Sequence, residues 1–324
     1  MTKVVVIEQF GGPEVLEWRE ESLPAPASGE VLVRHSAVGL NFIDVYQRTG
    51  LYPLELPAHL GLEAAGEVMA VGEGVTYVSP GDRVTCTSPP SGAYAEERIY
   101  QADKLVKLPA GITDQTAAAA MLKGLTAWYL LHRSYAVKPG DNILLYAAAG
   151  GVGLIATQWA KHLGARVIGV VSTQAKATLA RQHGCADIVM ADAPDFVAQV
   201  RSLTDGEGVA AAYDSVGKDT FTNSLDCLRP HGTMVSYGNA SGPVDPLSLT
   251  ELVTRGSLFL TRPALFDFIA TPEELRTAAA ELFAVIESGV VTIEVGQTWR
   301  LEEVADAHRA LESRQTTGST LLIP

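Results

Sequence analysis

Asn142-Ile143-Leu144-Leu145-Tyr146-Ala147-Ala148-Ala149-Gly150-Gly151-Val152-Gly153 is the stretch whose reading decides the fold. An apolar run ends in small residues and reopens, through Leu154-Ile155, as a helix predicted to reach about Leu163. A parallel strand delivers its end to a phosphate-binding turn in this way, because orphan N–H groups and the positive end of the helix dipole meet there. The turn reads Ala148-x-Gly150-x-x-Gly153, with alanine in place of the first glycine of G-x-G-x-x-G. Alanine is still small enough for a tight turn. Gly150 and Gly151 can bring bare backbone up to a pyrophosphate, and Gly153 lets the helix lie close on the strand. Val152, Ile155, Trp159 and Leu163 recur at helical spacing, and Gly164 stands where a helix stops. A dinucleotide site is expected at Ala149, Gly150, Gly151, Val152 and Gly153, although a plain strand-turn-helix joint would use glycine too.

Outward from this stretch the pattern alternates. Strands at 142–147, 166–171, 187–190, 209–214 and 232–237 are separated by helices at 152–163, 174–183, 194–203 and 219–228. That alternation predicts a parallel, doubly wound α/β sheet. Upstream, β-rich segments at 3–10, 29–41 and 61–84 are punctuated by Gly11-Gly12-Pro13, Gly72-Glu73-Gly74 and Pro80-Gly81-Asp82, as in a compact β-barrel-like domain. Downstream, Thr271-Pro272-Glu273-Glu274 is a capping box with proline at N1, opening a helix that Gly289 ends. A helix at about 302–313 and a strand from Ser319 to Ile323 follow. The expected division is a discontinuous β-rich domain, 1–122 with 263–324, around an α/β domain at 123–262.

The totals set limits. A chain of 324 residues, 47% hydrophobic and 19% charged, has material for two cored domains. No apolar run reaches about 18 residues, so a membrane span is not expected. Met1-Thr2-Lys3-Val4-Val5-Val6 enters a strand at once and reads as no signal peptide. Three scattered cysteines, Cys86, Cys185 and Cys227, argue against a disulfide framework and for a reducing cytoplasm. A net charge of −13 argues against nucleic acid as partner. No G-x-S-x-G signature supports hydrolysis.

Gly61-x-Glu63-x-x-Gly66-x-Val68-x-x-Val71-Gly72, Gly81-Asp82-Arg83-Val84, Gly92-Ala93-Tyr94-Ala95-Glu96 and Ala147 to Gly153 together resemble the medium-chain dehydrogenase/reductase superfamily. Asn41-Phe42-Ile43-Asp44, Lys123-Gly124-Leu125-Thr126, Gln158-Trp159-Ala160-Lys161, Tyr213-Asp214-Ser215-Val216-Gly217 and Gly238-Asn239-Ala240-Ser241-Gly242 narrow the resemblance to its zeta-crystallin-like quinone oxidoreductases. The resemblance spans essentially the whole chain. It implies a GroES-like catalytic domain, a Rossmann domain, NADPH as cofactor and a homodimer.

Zinc-bearing members of the superfamily have cysteine at the place of Asn41, histidine at Leu62 and a third ligand near Met121-Leu122-Lys123. Amide and isobutyl groups do not replace thiolate and imidazole for zinc. The structural-zinc cysteines are missing too, and the seven histidines are expected as surface or cap residues rather than ligands. No metal site is therefore expected. Without a Lewis acid to hold an alkoxide, reduction of an electrophilic acceptor is favoured over alcohol oxidation.

The second strand of the α/β region ends in Ser172-Thr173, with Lys176 close behind, where NAD-selective sites place a carboxylate. Hydroxyls and an ammonium attract the 2′-phosphate of NADPH, and the resemblance adds Arg314. Both cations also read as ordinary surface residues. Relatives often carry tyrosine near Ala191, and alanine cannot stack on adenosine. Asn41 and Tyr46 match positions beside nicotinamide and substrate, and are the catalytic candidates. Lys123, Asn239 and Arg262 match positions lining the cofactor; Ser215, Tyr237 and Gly238 end strands where such sheets bind ligands. Bland alternatives remain: a strand-end cap for Asn41, a rim residue for Tyr46, a hinge cation for Lys123, a helix cap for Ser215. The expected activity is NADPH-dependent, zinc-free quinone reduction. The alternatives are reduction of an enone, an alkenal or another conjugated carbonyl, and a non-enzymatic NADPH-binding structural protein.

Overall fold

Six strands, all paired in parallel, form the sheet that contains Asn142–Tyr146. Their order is Asp187–Met190, Arg166–Val171, Asn142–Tyr146, Val209–Asp214, Leu228–Ser236, Phe259–Thr261. A computed structural model describes all 324 residues. The strands belong to one of two compact units, Thr126–Phe268 with Ser288–Thr292. Chain order reverses between Asn142–Tyr146 and Val209–Asp214, the switch point at which doubly wound sheets open a crevice. The helices Gly151–His162, Gln174–Gln182, Phe196–Ser202 and Phe221–Asp226 make the crossovers. Because helices cover both faces, Val209–Asp214 is buried along its whole length and reads as a continuous apolar run rather than an alternation. Leu144, Ile168, Ala212 and Met234 form its inner layer, with no exposed surface.

The other unit comprises Met1–Leu125, Ile269–Glu287 and Ile293–Pro324. Its main sheet runs Val295–Arg300, Ser319–Ile323, Glu30–Leu40, Glu63–Val71, Arg83–Thr87, Leu105–Lys107. Glu30–Leu40 is its spine. One edge pairs throughout with Glu63–Val71; the other pairs first with Glu97–Gln101 and then with Ser319–Ile323. Register shifts at Leu32/Val33 and His35/Ala37 mark where that strand bends, as bulges do in barrel-like sheets. A second sheet sets Thr2–Ile7 between Glu17–Glu21 and Ala58–His59.

The units differ at their edges from the division expected at 122/123 and 262/263. The helix Asp114–Tyr129, absent from the sequence reading, contains the first boundary at Leu125/Thr126. Its first part belongs with the β-rich unit because Ala117 to Met121 are wholly buried there and Ser319 donates to the Ala119 carbonyl at 2.7 Å. Lys123 thus falls in the β-rich unit. At the other end the α/β unit extends to Phe268, and Ser288–Thr292 rejoins it. The Gln158 side chain accepts from Thr292 N (3.0 Å) and donates to Thr292 O (3.0 Å), which accounts for that return.

Candidate active site

In the α/β unit, the expected nucleotide residues share one edge of the sheet, the carboxyl ends of parallel strands. Gly150 is the N-cap of Gly151–His162, and no side chain caps it or places an acid in the first turn. The first bond of the helix runs from Leu154 N to the Gly150 carbonyl at 2.9 Å. The N–H groups of Gly151, Val152 and Gly153 therefore have no acceptor inside the helix, the arrangement that receives an anion. Gly150 N itself is spent on the Ala147 carbonyl (2.8 Å), which draws the turn tight. A Cβ on Gly153 would collide with the Ala147 carbonyl oxygen, so glycine is required there for close packing. The departure at Ala148 has its own accommodation. Gly169, on the neighbouring strand, has no Cβ; one built there would lie 2.9 Å from the Ala148 methyl.

Ser172 and Thr173 follow the strand Arg166–Val171 and are exposed. Thr173 caps the next helix by accepting from Lys176 N, which sets Lys176 on its first turn. No carboxylate stands at this strand end. Ser215, Tyr237, Gly238, Asn239 and Arg262 lie at the ends of the last three strands. Gly238 passes so close to the Ser215 carbonyl that a Cβ would strike it, and Arg262 donates to the Ser236 carbonyl at 3.1 Å. The cap role considered for Ser215 falls to Thr220, the N-cap of the helix Phe221–Asp226, while the turn between is held by the neighbour of Ser215. Asp214, fully buried, accepts from Val216 N (2.7 Å), Gly217 N (3.1 Å), Thr220 Oγ1 (2.7 Å) and Ser224 Oγ (2.8 Å).

In the β-rich unit, Asn41 ends the spine strand and stands at the N-cap of the helix Phe42–Arg48, where its backbone N–H donates to Asp44 Oδ2 and its side chain makes no cap hydrogen bond. Its amide nitrogen donates to Glu63 Oε2 (2.8 Å) and to the Gly39 carbonyl (3.3 Å). Two acceptors on one side settle which end of the amide is nitrogen. Lys123 donates to the same Glu63 oxygen at 2.9 Å, and Leu122 N reaches the other at 2.6 Å. Glu63 has no exposed surface; Lys123 is 6% and Asn41 5% exposed. The fold thus joins two expected site residues, Asn41 and Lys123, through a third that had no assigned role. A lone acid entering the small-residue run Ala64-Ala65-Gly66 was the available signal.

Tyr46 is buried rather than on a rim, 8% exposed, with its ring tilted against Phe42 (5.6 Å) and edge-on to Tyr52 (5.2 Å). Asp44, two residues earlier, is fully buried and accepts from Asn41 N and Tyr94 Oη, each at 2.8 Å. Burial raises its carboxyl to about 7, against the downward pull of those donors. Histidines expected at the surface are in two cases core residues. His35 bonds the Ala95 carbonyl and Tyr100, and His308 bonds Tyr94 and Arg48. Burial lowers His35 to about 4 and, with the nearby Arg48 charge, His308 to about 3. Arg314 belongs to this unit as well. It is exposed, in the left-handed conformation (φ 59°) just past the helix Val304–Glu312.

The zinc-ligand positions do not suit zinc. Asn41 turns its nitrogen to Glu63, Leu62 is a buried hydrocarbon, and Lys123 brings an ammonium that would repel a cation. Nowhere do three His, Cys, Asp or Glu side chains cluster as a metal would need.

Residues 27–110 match the family described as alcohol dehydrogenase GroES-like domain, and residues 151–284 the one described as zinc-binding dehydrogenase. Fold and site together define a medium-chain dehydrogenase/reductase. A quinone oxidoreductase of Pseudomonas aeruginosa is 51% identical over the full length of both chains. A 2-haloacrylate reductase of a Burkholderia species is 46% identical over all of this chain and 99% of its own. The crystal structure of Escherichia coli quinone oxidoreductase complexed with NADPH superposes with a TM-score of 0.97 at 47% identity, covering both chains completely. The chain belongs to the quinone oxidoreductase family of this superfamily.

Proposed function

We propose that the chain reduces quinones with NADPH and without zinc. The observation that carries this is the presence in one chain of an uncapped, glycine-built helix start and of a buried Lys123–Glu63–Asn41 cluster at and beside the zinc-ligand positions. When bound, the cofactor supplies hydride from C4 of its nicotinamide. The protein's part is positioning and charge stabilisation. The N–H groups of Gly151, Val152 and Gly153, flanked by Ala149 and Gly150, receive the pyrophosphate. Ser172, Lys176 and Arg314 hold the 2′-phosphate; Ser215, Tyr237, Gly238, Asn239 and Arg262 line the remainder. Asn41 orients the nicotinamide, and Tyr46 donates to the acceptor oxygen. The relative crystallised with NADPH supports the choice of cofactor. The test is NADPH oxidation by the purified protein across a panel of quinones, with and without chelator.

The similarity to a 2-haloacrylate reductase supports a second reading, reduction of an activated carbon–carbon double bond. Quinones and such alkenes are both conjugated acceptors. Rapid turnover with an alkenal or haloacrylate and none with any quinone would decide for it. Binding of NADPH with no turnover over the whole panel would instead favour the structural-protein alternative.

We also infer a homodimer. Phe259–Thr261 is a free edge of the parallel sheet, with Phe259 62% and Leu260 39% exposed. Leu249 and Val253 are exposed apolar residues of the same unit, at 76% and 67%. An apolar open edge invites pairing with a second copy. No helix is long and apolar enough to cross a membrane. Three free, buried cysteines accord with a cytoplasmic setting.

A further inference from the structure

Three donors converge on Glu63: an amide, a backbone N–H and an ammonium. A carboxylate with no exposed surface persists in a fold only when it is paired and hydrogen-bonded. Here one carboxylate satisfies a cation and an amide together, and both belong to the positions where zinc enzymes of the superfamily place ligands. We propose that Glu63 is a positioning residue. It seats the Lys123 ammonium as the fixed positive charge of the reacting centre, in place of a metal ion, and locks Asn41 with its amide oxygen turned away from Glu63.

The inference rests on the quinone-reduction reading. In that reaction hydride carries two electrons and one hydrogen to the quinone, leaving an oxidised pyridinium. The acceptor oxygen takes up the negative charge of the hydroquinone monoanion, and a solvent proton completes the hydroquinone. A charge held rigidly beside that oxygen stabilises it as it forms, with no reorganisation at the moment of transfer. The Lys123 ammonium has three N–H groups, of which Glu63 takes one. The Asn41 head, its nitrogen committed to Glu63 and Gly39, offers a ligand only an acceptor. It suits the NH₂ of a nicotinamide carboxamide, whereas the oxyanion falls to Lys123 and Tyr46. Glu63 would thus divide the labour between the two, a donor for the substrate and an acceptor for the cofactor.

Three full-length proteins test this: wild type, Glu63→Gln and Glu63→Gln/Lys123→Met. The single variant should lose about 100-fold in kcat with a simple quinone, the effect of misplacing a group by roughly an ångström. Its NADPH affinity, read by fluorescence titration, should weaken only a few-fold as Asn41 is released, roughly a tenth or less of the effect on kcat, and its melting temperature should fall. In the double variant both charges are gone, so the melting temperature should recover much of the loss while kcat stays low. Recovery of kcat together with the melting temperature would reduce Glu63 and Lys123 to a structural pair and overturn the proposal. So would undiminished kcat in Glu63→Gln. A wild type inert towards quinones would sink the parent reading, and this inference with it; an active wild type with an equally active Glu63→Gln sinks this inference alone.

Discussion

The guanidinium of Arg48 donates to Nδ1 of His308 at 3.0 Å, and this contact sets the direction of each hydrogen bond beyond it. Arginine has no acceptor, so Nδ1 must be bare and the proton of the neutral ring lies on Nε2. Nε2 then donates to Tyr94 Oη (3.1 Å), and Tyr94 donates to Asp44 Oδ2. Asp44 in turn holds the backbone N–H of Asn41. On its other side Arg48, 1% exposed, forks onto Glu312 at 2.7 and 2.9 Å. A chain of four buried side chains, closed by the part-exposed Glu312, thus ties the last helix, Val304–Glu312, to the helix that Asn41 begins and that carries Tyr46.

Two buried neutral histidines make the fold sensitive to acid. His308 falls from 6.5 to about 3 and His35 from 6.5 to about 4, so between about 4 and 6.5 the unfolded chain binds two protons that the folded chain does not. Stability from these groups is present above 6.5 and is lost as pH falls through that window. Asp44, raised from 3.8 to about 7, acts oppositely, holding a proton in the folded state that the unfolded chain has released. The net over these three is one proton favouring unfolding in acid. His308→Gln keeps an acceptor for Arg48 and a donor for Tyr94 but does not titrate. Unfolding free energies from urea titrations at pH 4 to 6 should then lose about 1.4 kcal/mol per pH unit of slope. An unchanged slope would mean that His308 is not buried neutral.

Gly153→Ala should destabilise the α/β unit by about 1–3 kcal/mol, because its Cβ meets backbone at the Ala147 carbonyl, which cannot step aside. NADPH affinity should fall as well, since the start of the helix must shift. Chemical denaturation and fluorescence titration of the same variant check both effects. Wild-type values would show that the turn is looser than this packing implies.

Lys176→Ala should weaken NADPH and spare NADH. A charge-assisted hydrogen bond is worth about 1.5–3 kcal/mol, so KM for NADPH should rise roughly 10- to 100-fold. Equal effects on both cofactors would remove Lys176 from the phosphate site. Ala191, exposed where relatives often stack tyrosine, adds nothing to that preference.

Phe259→Glu should convert a dimer to monomer in light scattering behind size exclusion, by placing a charge on the open edge of the sheet. A dimer that persists would move the interface elsewhere.

The α/β unit was legible because short continuous apolar runs alternate with helical patterns and glycine stops between them. The strand bounds 166–171, 187–190 and 209–214 agree with the structure residue for residue. Asp114–Tyr129 went unread because its run of alanines is buried on nearly every side and shows no amphipathic stripe. Phe259–Thr261 is too short to carry a period. At the site, glycine spacing betrayed the turn, since backbone approach demands glycine in the sequence itself. Glu63, Asp44 and His308 escaped notice for the opposite reason. Lys123 lies 60 residues from Glu63, Tyr94 50 from Asp44 and Arg48 260 from His308, and only the fold brings such groups together.

Proposed here is metal-free reduction of quinones by NADPH held on the Ala149–Gly153 turn. Its most direct test is steady-state NADPH oxidation with a simple quinone, using protein stripped by chelator and verified free of zinc by elemental analysis. Full turnover, unaffected when zinc is returned, is the expected result. Activity that vanishes on stripping and reappears with zinc would contradict it.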